Sequence, residues 1–130
     1  MRTIKFRGKR QSDEKWAYGS LVYSENIKPA IYFEVGKGEV KMLDWCYVNP
    51  DTIGQFTSLK DKYGRDIYEG DILEADGCSL YQKLEVRFVR GVFAFLWDGN
   101  LDDEFPTGSP THEWAKVIGN IHDNPELLSK

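Results

Sequence analysis

The sequence predicts an all-β protein of antiparallel strands in two intimately packed small parts. Three observations carry this. Short segments of alternating apolar and polar residues recur along the chain, each bounded by Gly, Asn, Asp or Pro. Seven Phe, seven Tyr, four Trp and twelve Gly favour strands and tight turns. Ala-rich or Leu-rich runs with helical spacing do not occur. A chain of 130 residues buries roughly two thirds of its unfolded surface, enough for a real core.

The elements follow in order. Thr3 to Lys9 alternates, with Ile4 and Phe6 on one face and Lys5, Arg7 and Lys9 on the other, a half-buried strand. After the polar connection Gln11 to Lys15, Trp16 to Tyr23 and Lys28 to Val35 read as strands, the second around Ile31-Tyr32-Phe33. Gly36-Lys37-Gly38 reads as a hairpin turn. Glu39 to Leu43 is its returning arm, with Val40 and Met42 expected to face the core. Trp45 to Val48 is a separate strand ending at the turn initiator Asn49-Pro50.

Thr52 to Phe56 is a short strand, and a polar loop begins at Leu59. Asp61-Lys62-Tyr63-Gly64 has the residues of a β-turn, and Glu69-Gly70-Asp71 reverses the chain into Ile72 and Leu73. By analogy, this second reversal suits the opening of an SH3-like barrel. A polar loop with Gly77 follows. Leu84 to Phe88 alternates, with Leu84, Val86 and Phe88 inward and Glu85 and Arg87 outward. Arg90-Gly91 turns into Val92 to Trp97, apolar on both faces and therefore central or at a subunit contact. Asp98-Gly99 is a turn, the acidic loop runs through Glu104, and Trp114 to Ile121 is the last strand. Asn124-Pro125-Glu126 caps and starts a short C-terminal helix. The expected division is a β meander over 1–60 and a barrel with its helical cap over 61–130. The first strand can pair across that boundary, so the halves need not be separable.

The formal charge is −4, yet Arg2, Lys5, Arg7, Lys9 and Arg10 stand in the first ten residues with no acid. The other 120 residues carry 12 basic and 21 acidic side chains, which disfavours tight non-specific binding of polyanions. The plainer reading of the basic start is a solvated strand face. No secretory signal pattern follows those charges, and no window spans a bilayer, so the expected location is the cytoplasm, without membrane contact. Cys46 and Cys78 are too few for a disulfide framework, and His112 and His122 stand far from both, so no metal or cofactor is expected.

IKFRGK near the amino end resembles the opening of the YopX family, small proteins of phages and prophages. The resemblance continues through Thr52 to Lys62 with Gly64, through Ile67 to Ile72, and through Val117 to Leu128. It implies a β-rich fold and a mobile-element setting in a bacterial host, and it brings no established activity. Within these blocks Gly54, Gly64, Gly70 and Gly119, with Asp61 and Asp71, suit turns, bulges and backbone hydrogen bonds.

The aromatic residues outnumber what one small core can bury, which points to a non-enzymatic interaction module. Trp16, Tyr63, Tyr68 and Trp97 are its candidate interface residues, and the partner is a host or phage protein or a second copy. The alternative is a nucleic-acid-binding barrel, with Lys5, Arg7, Lys9 and Arg10 joined by Lys83, Arg87 and Arg90, and Trp16 or Tyr63 stacking on bases. The nearest approaches to catalytic chemistry are His112 with Glu113, and the acids Asp98, Asp102, Asp103 and Glu104 as a hard-cation site. The acids lack the ligand alternation of a calcium loop, and no catalytic residue is assigned.

Overall fold

A computed structural model describes residues 2–75, 83–97, 104–105 and 110–128, the pair 104–105 in backbone only. The strands are β1 (Phe6–Lys9), β2 (Trp16–Ser24), β3 (Ile27–Lys37), β4 (Val40–Tyr47), β5 (Gly54–Lys60), β6 (Asp66–Tyr68), β7 (Asp71–Ala75), β8 (Lys83–Val89), β9 (Val92–Trp97), β10 (Glu104–Phe105) and β11 (Ala115–Asn120). A helical turn, α1 (Thr111–Trp114), precedes β11, and 3-10 turns occupy Pro50–Thr52 and Pro125–Leu128. All strand pairings among the described residues are antiparallel, so the fold is all-β. The chain divides into two compact units, Met1–Phe56 and Thr57–Lys130, and the division falls inside β5.

In the first unit the strands lie in the order β4-β3-β2-β1-β5. A bridge between Arg10 and Val48 brings the end of β4 back to the end of β1. Ala17, Ile31 and Val48 form the buried core, with Phe6, Leu21, Phe33, Cys46 and Ile53 packed against it. The turn at Pro50–Thr52 is held from its own sequence. Asn49 Oδ1 accepts from the Asp51 N–H at 3.1 Å, and the Thr52 hydroxyl accepts from the Lys9 N–H at 2.8 Å.

The segments expected as Glu39–Leu43 and Trp45–Val48 form one strand, and the two-residue hairpin loop is Gly38-Glu39 rather than Gly36 to Gly38. Val40 and Met42 are not in the core: they are 73% and 67% exposed. Register explains this. Pairing of β2 with β3 reaches only Ser20 opposite Tyr32, whereas β3 and β4 continue together to Lys37 opposite Val40. Beyond Phe33 the hairpin is therefore a two-stranded ribbon. Val35, Val40 and Met42 keep the parity of the core face, but among the described residues no third strand pairs with the ribbon there.

In the second unit β5 ends beside β6, and five strands lie in the order β10-β9-β8-β7-β11. Pairings among the described residues establish this antiparallel sheet and do not by themselves make it the SH3-like barrel expected from sequence. Ile67, Leu73, Ala75, Leu84, Val86, Phe95, Ala115 and Val117 form the core, with Trp97 and Trp114 against it. The Arg90-Gly91 turn holds both residues at positive φ, 51° and 82°, the geometry that matches the twist of a tight hairpin. The last strand starts at Ala115 rather than Trp114, because Thr111–Trp114 coils into α1. The C-terminal helix is one 3-10 turn, Pro125–Leu128.

Two expectations in β8 are corrected. Glu85, expected outward, is buried, because in register it lies between Ile72 of β7 and Leu96 of β9, both fully buried. Phe88, expected inward, is exposed, since β8 and β9 run past the end of β7 and its neighbour there is Phe93, 5.1 Å away edge-on. Leu59 lies within β5 rather than opening a loop, and Glu104 belongs by backbone to β10, opposite Leu96. The turn Asp98-Gly99, the loop at Gly77, Cys78 and the acids Asp102 and Asp103 lie outside the described residues.

Candidate binding surface

The first unit presents a strand edge, an apolar strip and an aromatic face, all built by β3 and β4. The edge follows from ladder geometry. In an antiparallel strand the N–H and C=O of one residue point to the same side, and the side alternates along the chain. The Tyr47 carbonyl accepts from the Gln11 N–H at 3.1 Å across the outer edge of β4, so Trp45, Leu43 and Lys41 direct their backbone groups the same way. The Trp45 N–H is engaged by Asp44 Oδ1 at 2.8 Å. Among the described residues, no strand pairs with this edge between Lys41 and Trp45.

Apolar side chains flank that edge on both faces of the ribbon. Val35, Val40 and Met42 extend the core face outward, and Leu43, 68% exposed, lies on the opposite face. The Lys41–Glu34 ion pair beside Leu43, at 3.6 Å, is exposed and adds little stability. A two-stranded ribbon is marginal in water without something against it.

The face that carries Leu43 continues into an aromatic row. Tyr32 and Trp45 stand opposite each other with ring centroids 6.1 Å apart and planes 24° from parallel. Tyr47 meets Trp45 edge-on at 4.9 Å, and Lys28 Nζ lies 5.7 Å from the Tyr47 centroid. Lys5, Arg7 and Lys9 share one face of β1, yet they are not the solvated set that their alternation suggests. The Arg7 guanidinium lies 4.6 Å from the Trp16 ring and Arg7 is 5% exposed, while Lys9 Nζ is 5.6 Å from the same ring. Lys5 lies over Phe56 at 4.7 Å. Cation–ring contacts of this kind hold charge where burial would otherwise penalise it.

The remaining sequence-derived candidates separate by environment. Arg10 Nε reaches Asp13 at 3.4 Å at the end of β1. Arg87 is gripped by Glu85 through two hydrogen bonds, each 2.8 Å, so its guanidinium is committed within β8 rather than offered to a phosphate. Arg90 and Lys83 belong to the second unit, at the β8–β9 turn and the start of β8. Tyr68 is 4% exposed and is a core residue, not an interface anchor. Trp97 is half-buried against the second core. Tyr63 is well exposed in the Asp61–Gly64 turn, with Lys62 Nζ 5.3 Å from its ring. Tyr32 and Trp45 belong to the aromatic surplus legible in the sequence, whereas Tyr47 and Lys28 escaped it, because period two shows that residues share a face, not that the face stays open.

No group of three or more metal-ligating side chains converges among the described residues. His112 Nε2 and Glu113 Oε1 stand 3.9 Å apart, both largely in solvent. Asp61 and Asp71 have folding roles. Asp61 Oδ1 accepts from the Tyr63 and Arg65 N–H groups, both at 2.9 Å, and Oδ2 accepts from the Val117 N–H at 3.0 Å. Burial alone would raise its pKa; the bonds from Val117, Arg65 and Tyr63 outweigh burial and hold the carboxyl below its ordinary value. Asp71 Oδ2 accepts from the Tyr68 N–H at 2.7 Å and fixes the reversal at Gly70. No helix among the described residues is long and apolar enough to cross a membrane.

The family model described as YopX protein matches residues 5–129. The crystal structure of protein EF1440 from Enterococcus faecalis is similar over 99% of this chain and 100% of that one, with a TM-score of 0.65 and 25% sequence identity. No curated protein matches.

Proposed function

The chain belongs to the YopX family, and from that premise we propose that it is a phage- or prophage-encoded accessory protein that works by binding, not catalysis. The binding element is the β3–β4 ribbon. Its unpaired edge between Lys41 and Trp45 accepts a strand from another polypeptide, and Val40, Met42 and Leu43 are covered as that strand docks. The observation that carries this reading is the coincidence of a strand edge that pairs with no strand among the described residues and exposed apolar side chains on both faces of one ribbon. A host protein, a phage protein or a second copy fits the same edge, and the bacterial cytoplasm is the setting proposed.

The test combines light scattering with affinity capture from a nuclease-treated, phage-bearing lysate. The intact chain is expected to self-associate or to retain a defined protein, and a Val40→Ser/Met42→Ser variant to lose it. A strictly monomeric protein that retains nothing would sink the reading. So would a retained partner indifferent to that variant.

A further inference from the structure

We propose that the outer face of β3 and β4 is a stacking site for single-stranded nucleic acid, centred on Tyr32, Trp45 and Tyr47 with Lys28 as its phosphate contact. This goes beyond strand addition, which uses the backbone edge and the apolar strip. A cross-strand aromatic pair alone is ordinary sheet stabilisation, and Tyr32 opposite Trp45 meets that description. Three further observations exceed it.

First, Trp45 and Tyr47 are each 45% exposed, so the row offers ring surface to solvent rather than closing on itself. Every base has a π-face, and stacking on such rings needs no particular sequence. Second, cations outnumber acids beside the rings. Lys28 lies at Tyr47, and Lys9 shares the same sheet face through the β1–β2 and β2–β3 registers, with the buried Arg7 beneath it adding charge but no contact. Within the registered strands of that face the acid is Glu34, already paired with Lys41. Third, the cationic face sits in the less acidic part of the chain. Residues 1–56 hold nine basic and seven acidic side chains, +2, whereas residues 57–130 hold eight and fourteen, −6. A phosphodiester strand matches both the rings and the charge.

The test is fluorescence anisotropy of labelled fifteen-nucleotide dT and U oligonucleotides with the full chain at low and moderate salt. Binding is expected at low salt, weakening as salt rises. Tyr47→Leu is expected to weaken it about ten-fold or more. Lys28→Glu, at an exposed position that leaves the fold undisturbed, should weaken it and flatten the salt dependence. A duplex of equal length should bind less tightly, because its bases present no free faces. The Val40→Ser/Met42→Ser variant should bind oligonucleotides as the intact chain does, which separates this site from the strand edge. Undetectable binding at low salt, affinity untouched by Lys28→Glu, or a duplex bound as tightly as the single strand would each overturn the proposal.

Discussion

Asp61 shows how much structure one side chain can fix. It terminates three backbone N–H groups, two from its own turn and one from β11, 56 residues away in sequence. Replacing it by Asn puts an amide donor against a backbone donor, and Asp61→Asn is expected to destabilise by about 2–3 kcal/mol in chemical denaturation. The sign of the pH dependence follows from the lowered pKa. A carboxyl whose folded pKa lies below its unfolded value contributes stability above the unfolded pKa, near 3.9. That contribution is lost as pH falls through the folded pKa. Melting temperature should therefore drop on acidification below about pH 4, and less steeply in Asp61→Asn. Cys46 is the opposite case. Burial pushes its thiol up, against a smaller pull downward from Arg10 and further pushes upward from Asp13 and Asp44. Alkylation of Cys46 should be slow near neutral pH and speed up only in alkaline buffer; rapid labelling at pH 7 would contradict that. The sequence marked Asp61 as a turn residue, but its bond to Val117 needed the chain to return, and no local pattern encodes that.

Among elements, β3 and β4 behave differently along their length. Near Ile31 and Cys46 they belong to a core; past Phe33 they are an exposed ribbon. Stability should follow that division. Ile31→Ala is expected to cost about 2–5 kcal/mol, through lost burial and a cavity. The exposed Val40→Ser/Met42→Ser change should stay within about 0.5 kcal/mol per site while abolishing partner retention. Comparable losses for both would mean that the ribbon is not free. The β8–β9 hairpin carries a second element-scale prediction. Gly91→Val forces a β-branched residue to φ near 82° and should destabilise by about 1–2 kcal/mol. Alternation located these strands and turns. It misplaced Val40, Met42, Glu85 and Phe88, because period two assigns a face and says nothing about how far the neighbouring strand extends.

At the scale of the molecule, each unit has its own buried cluster, one around Ile31 and one around Leu73 and Leu84. Hydrogen exchange should report this. Ile31→Ala should lower protection chiefly within residues 1–56, and Leu84→Ala chiefly within 57–130; uniform loss from either change would make the chain one cooperative unit. Charge is also unevenly shared between the units, which a net value of −4 conceals. By itself the sequence determined the all-β class, most strands, the turns at Asp61, Gly70 and Arg90, and the family, because these depend on period, turn chemistry and local motif. Tertiary structure alone decided which faces are covered. It placed Tyr68 and Glu85 inside, tied Arg87 to Glu85, laid Arg7 on Trp16, and left the β4 edge and its aromatic row open. Those outcomes depend on pairing register and strand length between segments distant in sequence, where burial is set by what lies opposite rather than by the residue itself.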